Sequence, residues 1–152
     1  MNVLAEQLIQ KERAVLDRWK SDNSDRRFHY DCSGANGTIL GFHCYGREPH
    51  SELIRSLANL SQVRFISFEA PVGRCGFPRD INDSDVRALG NLGSLEVLIL
   101  NDTRITDACL DDLAKLKKLR KLFISRTFIS PNGAEALRQS LPGCEIRCEE
   151  SW

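Results

Sequence analysis

Leu95-x-x-Leu98-x-Leu100-x-x-Thr103-x-Ile105-Thr106-Asp107 returns 24 positions later as Leu119-x-x-Leu122-x-Ile124-x-x-Thr127-x-Ile129-Ser130. Apolar positions two apart, followed by apolar positions at helical spacing, read as one strand and one helix. A unit of this length cannot bury its apolar edge alone, so copies must stack. The repeat predicts an α/β solenoid with a parallel sheet on one face and helical segments on the convex side.

The period reaches beyond these two copies. Val63 to Phe68 fits the Leu95 to Leu100 register, and Leu57 and Leu60 match Leu89 and Leu92, then Leu113 and Leu116. A further step back gives Ile39 to Cys44, with Phe42 and Cys44 inward; a step forward gives Gly143 to Cys148, with Ile146 and Cys148 inward. About five parallel strands and four helical segments follow. Only the step from Val63 to Leu95 breaks the period, because the stretch 71–79 adds roughly eight residues.

Within a unit, Leu98 and Leu100 point inward while Val97 and Ile99 face out, as strand geometry requires. Thr103 ends the strand and Ile105 tucks back beneath it. Thr106 or Asp107 stands where a helix N-cap belongs, and Ser130-Pro131 supplies a cap and a first-turn proline in the next copy.

The run Thr103-Arg104-Ile105-Thr106-Asp107-Ala108-Cys109-Leu110-x-x-Leu113-x-x-Leu116-x-x-Leu119 resembles the bacterial leucine-rich-repeat proteins with T-x-I-T-D-x-G-L repeats. Leu141-Pro142-Gly143-Cys144-Glu145-Ile146 is similar to the way such arrays end. The resemblance covers about residues 38 to 148. Cys109 replaces the usual glycine, and 71–79 belongs to no repeat. The resemblance implies protein recognition and carries no catalytic set.

The ends of an open stack need caps. Leu4, Leu8, Val15 and Trp19 lie close to helical period, predicting an amphipathic helix over 2–19 and a polar connector over 21–27. Phe28, Tyr30 and Cys32 alternate toward Asn36-Gly37, a hairpin signal. A three-residue loop, Ala35-Asn36-Gly37, pairs Tyr30 with Phe42 and Phe28 with Cys44, adding an antiparallel edge strand. Residues 1–37 are thus the N-terminal cap and 38–152 the solenoid, with its insertion at 71–79.

Lys+Arg and Asp+Glu both number 21, so the net charge is zero and no overall field attracts nucleic acid or an anionic membrane. No stretch approaches the roughly 20 apolar residues of a membrane span. Glu6, Lys11, Glu12 and Arg13 interrupt any apolar signal core, so the expectation is a cytoplasmic protein. The six cysteines fit that compartment as reduced thiols. Cys144 and Cys148 lie roughly 13 Å apart along one strand, beyond disulfide reach; Cys44, Cys109 and Cys148 take core positions that suit a free thiol.

Few residues point to chemistry. The hairpin register sets His29 opposite His43 with Asp31 beside them, a possible transition-metal set that matches no ligand motif. Asp80-x-Asn82-x-Ser84 begins like a calcium loop, but Asp85 and Asn91 replace the glycine and the bidentate glutamate. Gly90-Asn91-Leu92-Gly93 has the spacing of a nucleic-acid-clamping loop, yet Leu92 is a core position. All three histidines lie in the first third of the chain, no serine or cysteine is placed as an evident nucleophile, and no cofactor is implied. Lys115 to Lys121 is the one concentrated basic run, read as a solvated rim because it lacks interleaved aromatics.

The open sheet face carries the functional expectation. Its outward positions are Gly41, His43, Tyr45; Phe65, Ser67, Glu69; Val97, Ile99, Asn101; Lys121, Phe123, Ser125; and Glu145, Arg147, Glu149. Five strands span roughly 19 Å, and a contiguous apolar patch with a polar rim marks a protein-binding site. The expected function is a non-enzymatic protein-interaction module binding another protein through Tyr45, Phe65, Glu69, Val97, Ile99 and Phe123. The alternatives are a face covered by the chain's own N-terminal helix or by 71–79, a metal-dependent enzyme or regulator using His29, Asp31 and His43, and an accessory subunit docking through its N-terminal helix.

Overall fold

The computed structural model describes residues 28–31, 41–44, 51–60, 62–68 and 80–149, with Gln7, Gln10, Ala14 and Asp17. Six strands form one sheet in chain order: β1 (Phe28–Asp31), β2 (Gly41–Cys44), β3 (Phe65–Phe68), β4 (Val97–Ile99), β5 (Lys121–Phe123) and β6 (Glu145–Arg147). β1 runs antiparallel to β2, and β2 to β6 are parallel. Between them lie α1 (Ser51–Leu57), α2 (Asp83–Leu89), α3 (Leu110–Ala114) behind a 3-10 turn (Asp107–Cys109), and α4 (Pro131–Ser140). Parallel neighbours need a crossover, and each helix supplies one. This is an α/β leucine-rich-repeat solenoid.

The register follows from the apolar period. Phe42, Ile66, Leu98 and Leu122 are lateral partners, all fully buried, and Ile146 ends the row half-buried. Ile54 and Leu57, Val86 and Leu89, Leu113 and Leu116, then Leu137 and Leu141 oppose that row from the helical side. In the cap, Tyr30 pairs with Phe42 and Phe28 with Cys44, the register expected from a three-residue loop. Gln7, Gln10, Ala14 and Asp17 are helical and exposed, at the spacing of one helix face. The helix's apolar stripe, the connector at 21–27, the loop at 35–37, Cys32, Tyr45, His50, Glu69, Cys75 and the insertion 71–79 lie outside the described residues.

Helix starts are tied to their sequences. Asn82 Oδ1 accepts from Ser84 N at 2.9 Å and Asp85 Oδ2 accepts from Asn82 N at 3.0 Å, a capping box for α2. The residues that began like a calcium loop are therefore a helix cap. Thr106 caps the 3-10 turn and Ser130 caps α4, with Pro131 in its first turn. Leu92 is buried within the turn that joins α2 to β4, which accounts for Gly90-Asn91-Leu92-Gly93. At the strand ends, Thr103 Oγ1 donates to Leu100 O at 2.7 Å and Thr127 Oγ1 to Ile124 O at 2.9 Å. Asp102 (φ 58°) and Arg126 (φ 54°) turn through the left-handed region, and the Arg126 guanidinium donates to the Asp102 carboxylate.

Candidate functional site

Two rows of outward positions cross the concave face. One runs Gly41, Phe65, Val97, Lys121, Glu145; the other runs His43, Ser67, Ile99, Phe123, Arg147. Phe65 and Val97 are neighbours in the first row, Ile99 and Phe123 in the second, and all four are half-buried. Lys121, Glu145 and Arg147 are exposed. The Arg147 guanidinium lies 5.4 Å from the Phe123 ring centre and is held by Glu145 at 2.7 Å, so a cation lies against that aromatic face.

Ser67 departs from the expectation of an open face. It is fully buried, and its hydroxyl has no hydrogen-bond partner among the described residues. The face is closed at this point and opens toward β5 and β6. Asn101 and Ser125, also outward, serve the strand ends: Asn101 Oδ1 accepts from Ser125 N at 2.9 Å and Ser125 Oγ from Glu149 N at 3.1 Å.

The basic run borders this face along the edge where the parallel strands begin. Lys115 Nζ bonds Asp112 at 2.6 Å and Arg87 approaches the same carboxylate at 3.5 Å. The Lys115 hydrogen bond holds the buried Asp112 carboxyl below its ordinary range, outweighing burial. Lys117, Lys118, Arg120 and Lys121 are exposed and have no ion-pair partner among the described residues.

His29 and His43 are lateral partners in the β1–β2 pair, as the hairpin register predicts. Among the described residues no three His, Cys, Asp or Glu side chains cluster in a way that could hold a metal ion. Cys109, Cys144 and Cys148 are free thiols. Burial, then the Asp83 carboxylate, pushes the Cys109 thiol up to about 12; burial, then Glu145, pushes Cys144 up to about 11. Neither thiol is an ionised nucleophile near neutrality.

One functional geometry escaped the sequence: a pair of carboxylate staples linking successive helix caps. Asp83 accepts from Thr106 N at 2.7 Å and from Thr106 Oγ1 at 2.8 Å. Asp107 accepts from Ser130 N at 2.8 Å and from Ser130 Oγ at 2.6 Å. The signal was present in the recurrence of Asp83 as Asp107 and of Thr106 as Ser130 at the 24-residue period.

No protein-family model and no curated protein matches the sequence. Among solved structures, internalin C2 of Listeria monocytogenes is similar at 23% identity and a TM-score of 0.48, over 63% of this chain and 36% of that one. A leucine-rich-repeat protein of Leptospira interrogans is similar at 23% identity and a TM-score of 0.44, over 61% of this chain and 21% of its own. The second actin-binding site of leiomodin-1 is similar at 11% identity and a TM-score of 0.46, over 67% and 62%. The matched region thus spans about a third of internalin C2 and a fifth of the Leptospira protein. No helix among the described residues is long and apolar enough to cross a membrane.

Proposed function

We propose that this chain is a protein-interaction module, without catalysis of its own, that receives a partner protein on its concave sheet face. Phe65, Val97, Ile99 and Phe123 are the anchors, with Tyr45 and Glu69 at the margin. The carrying observation is the register that sets four large apolar side chains side by side on three adjacent strands, at positions outside the main core row. Interface energy concentrates in a few such anchors. The repeats are of the bacterial T-x-I-T-D-x-G-L kind, the compartment is the cytoplasm, and neither cofactor, nucleic acid nor membrane is required.

The test is the double variant Ile99→Ser with Phe123→Ser, assayed by calorimetric titration against a partner recovered with the wild-type chain. Tm is expected to hold while binding falls by more than about tenfold, since truncating each anchor costs more than about 1 kcal/mol. Full-strength binding by a folded variant overturns the concave-face reading. A second reading, a metal site on His29, Asp31 and His43, is favoured by the His29–His43 pairing. Zinc titration followed by histidine NMR resonances distinguishes it, because the concave anchors bind no metal.

A further inference from the structure

A groove of about 380 Å³ opens beside the basic run, between the turn that ends α3 and the turn that follows α4. Leu119 and Leu141, both nearly buried, lie among its lining residues, and Lys117, Lys118 and Arg120 surround it. Glu96 is its one carboxylate, and Arg64 already neutralises it, with Nε at 2.8 Å and Nη2 at 2.7 Å from the same oxygen. Three cations therefore face the groove without compensation from the described residues, although the chain as a whole is neutral.

The fold does not call for these charges. Twenty-four residues earlier the same turn carries Gly93, Ser94 and Glu96, and 24 later the positions hold Leu141, Pro142 and Cys144. The backbone of the turn is the same without the cations. Lys117 N donates to Lys115 O at 2.8 Å and Leu119 N to Leu116 O at 2.9 Å, matching Gly93 N to Asn91 O at 2.9 Å and Leu95 N to Leu92 O at 3.0 Å. Like charges gathered where a turn without cations has the same backbone bonds oppose folding slightly, so their use lies elsewhere.

Along the chain the groove leads directly to the concave patch. Lys121 follows Arg120 directly, is exposed on β5, and is the lateral partner of Val97. Phe123 lies two positions on, roughly 7 Å along the strand. We infer that the partner presents an acidic polypeptide segment whose carboxylates enter the Lys117–Lys118–Arg120 groove and whose adjoining apolar side chains rest on Val97, Ile99 and Phe123. The inference rests on the concave-face reading for the apolar half alone. A nucleic-acid strand fits less well: Phe128, the one large hydrophobic exposed among the described residues, lies beyond the far ends of the strands, and no aromatic lines the groove for base stacking.

The test is a fluorescence-anisotropy titration of the full chain with a labelled peptide of four glutamates followed by Leu-Gly-Leu. Parallel probes replace the glutamates by glutamine, or the leucines by serine, and a single-stranded oligonucleotide serves as competitor. Lys117→Gly, Lys118→Ser and Arg120→Gln are combined in one variant, borrowing the neighbouring repeat's chemistry so that Tm is retained. Wild-type binding should weaken steeply with salt. The triple variant, and the glutamine peptide on wild type, should each lose about tenfold or more, as close interfacial charge pairs do. Equal binding of the glutamate and glutamine peptides overturns the inference while leaving the concave reading intact. Loss in the triple variant with no loss in Ile99→Ser/Phe123→Ser upholds the groove and overturns the concave reading. An oligonucleotide that binds more tightly than the peptide overturns the choice of a polypeptide, as does the absence of salt-sensitive binding by any glutamate probe.

Discussion

Cys109 stands where the next repeat has Gly133, and the two solve one steric problem differently. A Cβ at Gly133 falls 2.3 Å from Asp107 Oδ1, the oxygen that accepts from Ser130 N, so a side chain there displaces the staple. At Cys109 the thiol fits, fully buried, with Sγ 3.2 Å from Thr106 O. Its ionisation then becomes a stability term. The unfolded thiol titrates at 9.0 and the folded one at about 12, so the native state alone keeps the proton between those values. The contribution is fully present below pH 9 and is lost as pH rises toward 12, at up to about 1.4 kcal/mol per pH unit. Urea melts of wild type and Cys109→Ala across pH 8 to 11 should show the wild type losing stability faster; parallel slopes refute the assignment. Alkylation without reductant should modify all six thiols once the chain is unfolded, and Cys109 should not react before unfolding. A disulfide in the native protein would count against the cytoplasmic compartment proposed above.

Between elements, the caps are joined to one another as well as to their own helices. Thr106 accepts from Ala108 N at 3.2 Å as an N-cap and donates to Asp83 from both its backbone and its hydroxyl. A cap alone is worth about 1 kcal/mol. Thr106→Ala also strands one Asp83 oxygen, and loss of a partner to a part-buried carboxylate adds about 1 kcal/mol or more. Chemical denaturation should therefore place Thr106→Ala at about 2 kcal/mol below wild type and Thr106→Ser near it. A loss no larger than a simple cap substitution would show that the staple contributes nothing.

For the whole molecule, a stack in which each layer touches only its neighbours makes stability graded along its axis. Leu98 and Leu122 sit in the middle of the buried row and Ile146 at its end. Leu98→Ala and Leu122→Ala should each cost roughly 2–5 kcal/mol, because a central cavity cannot be filled from solvent. Ile146→Ala, half-buried on the last strand, should cost clearly less. Equal losses at all three positions would contradict the layered arrangement.

The 24-residue recurrence was enough, by itself, to determine the strand order, the parallel register, the inward row from Phe42 to Ile146 and the cap at Ser130, and to narrow the preceding cap to Thr106 or Asp107. Each of these depends on the apolar period and on local hydrogen-bonding chemistry, which are properties of the chain read in order. The outward placement of Phe65, Val97, Ile99 and Phe123 was legible for the same reason. What surrounds those positions was not. The burial of Ser67, the Arg147 guanidinium over Phe123, the neutralisation of Glu96 by Arg64 and the groove beside Lys117 all involve side chains from different strands or turns. Glu96 and Arg64 are equivalent repeat positions 32 apart across the insertion, so the recurrence sets them on neighbouring strands but not the side-chain conformations that join them. Tertiary structure decided these features because side-chain length and rotamer, unlike inward or outward facing, are settled only when neighbouring layers meet.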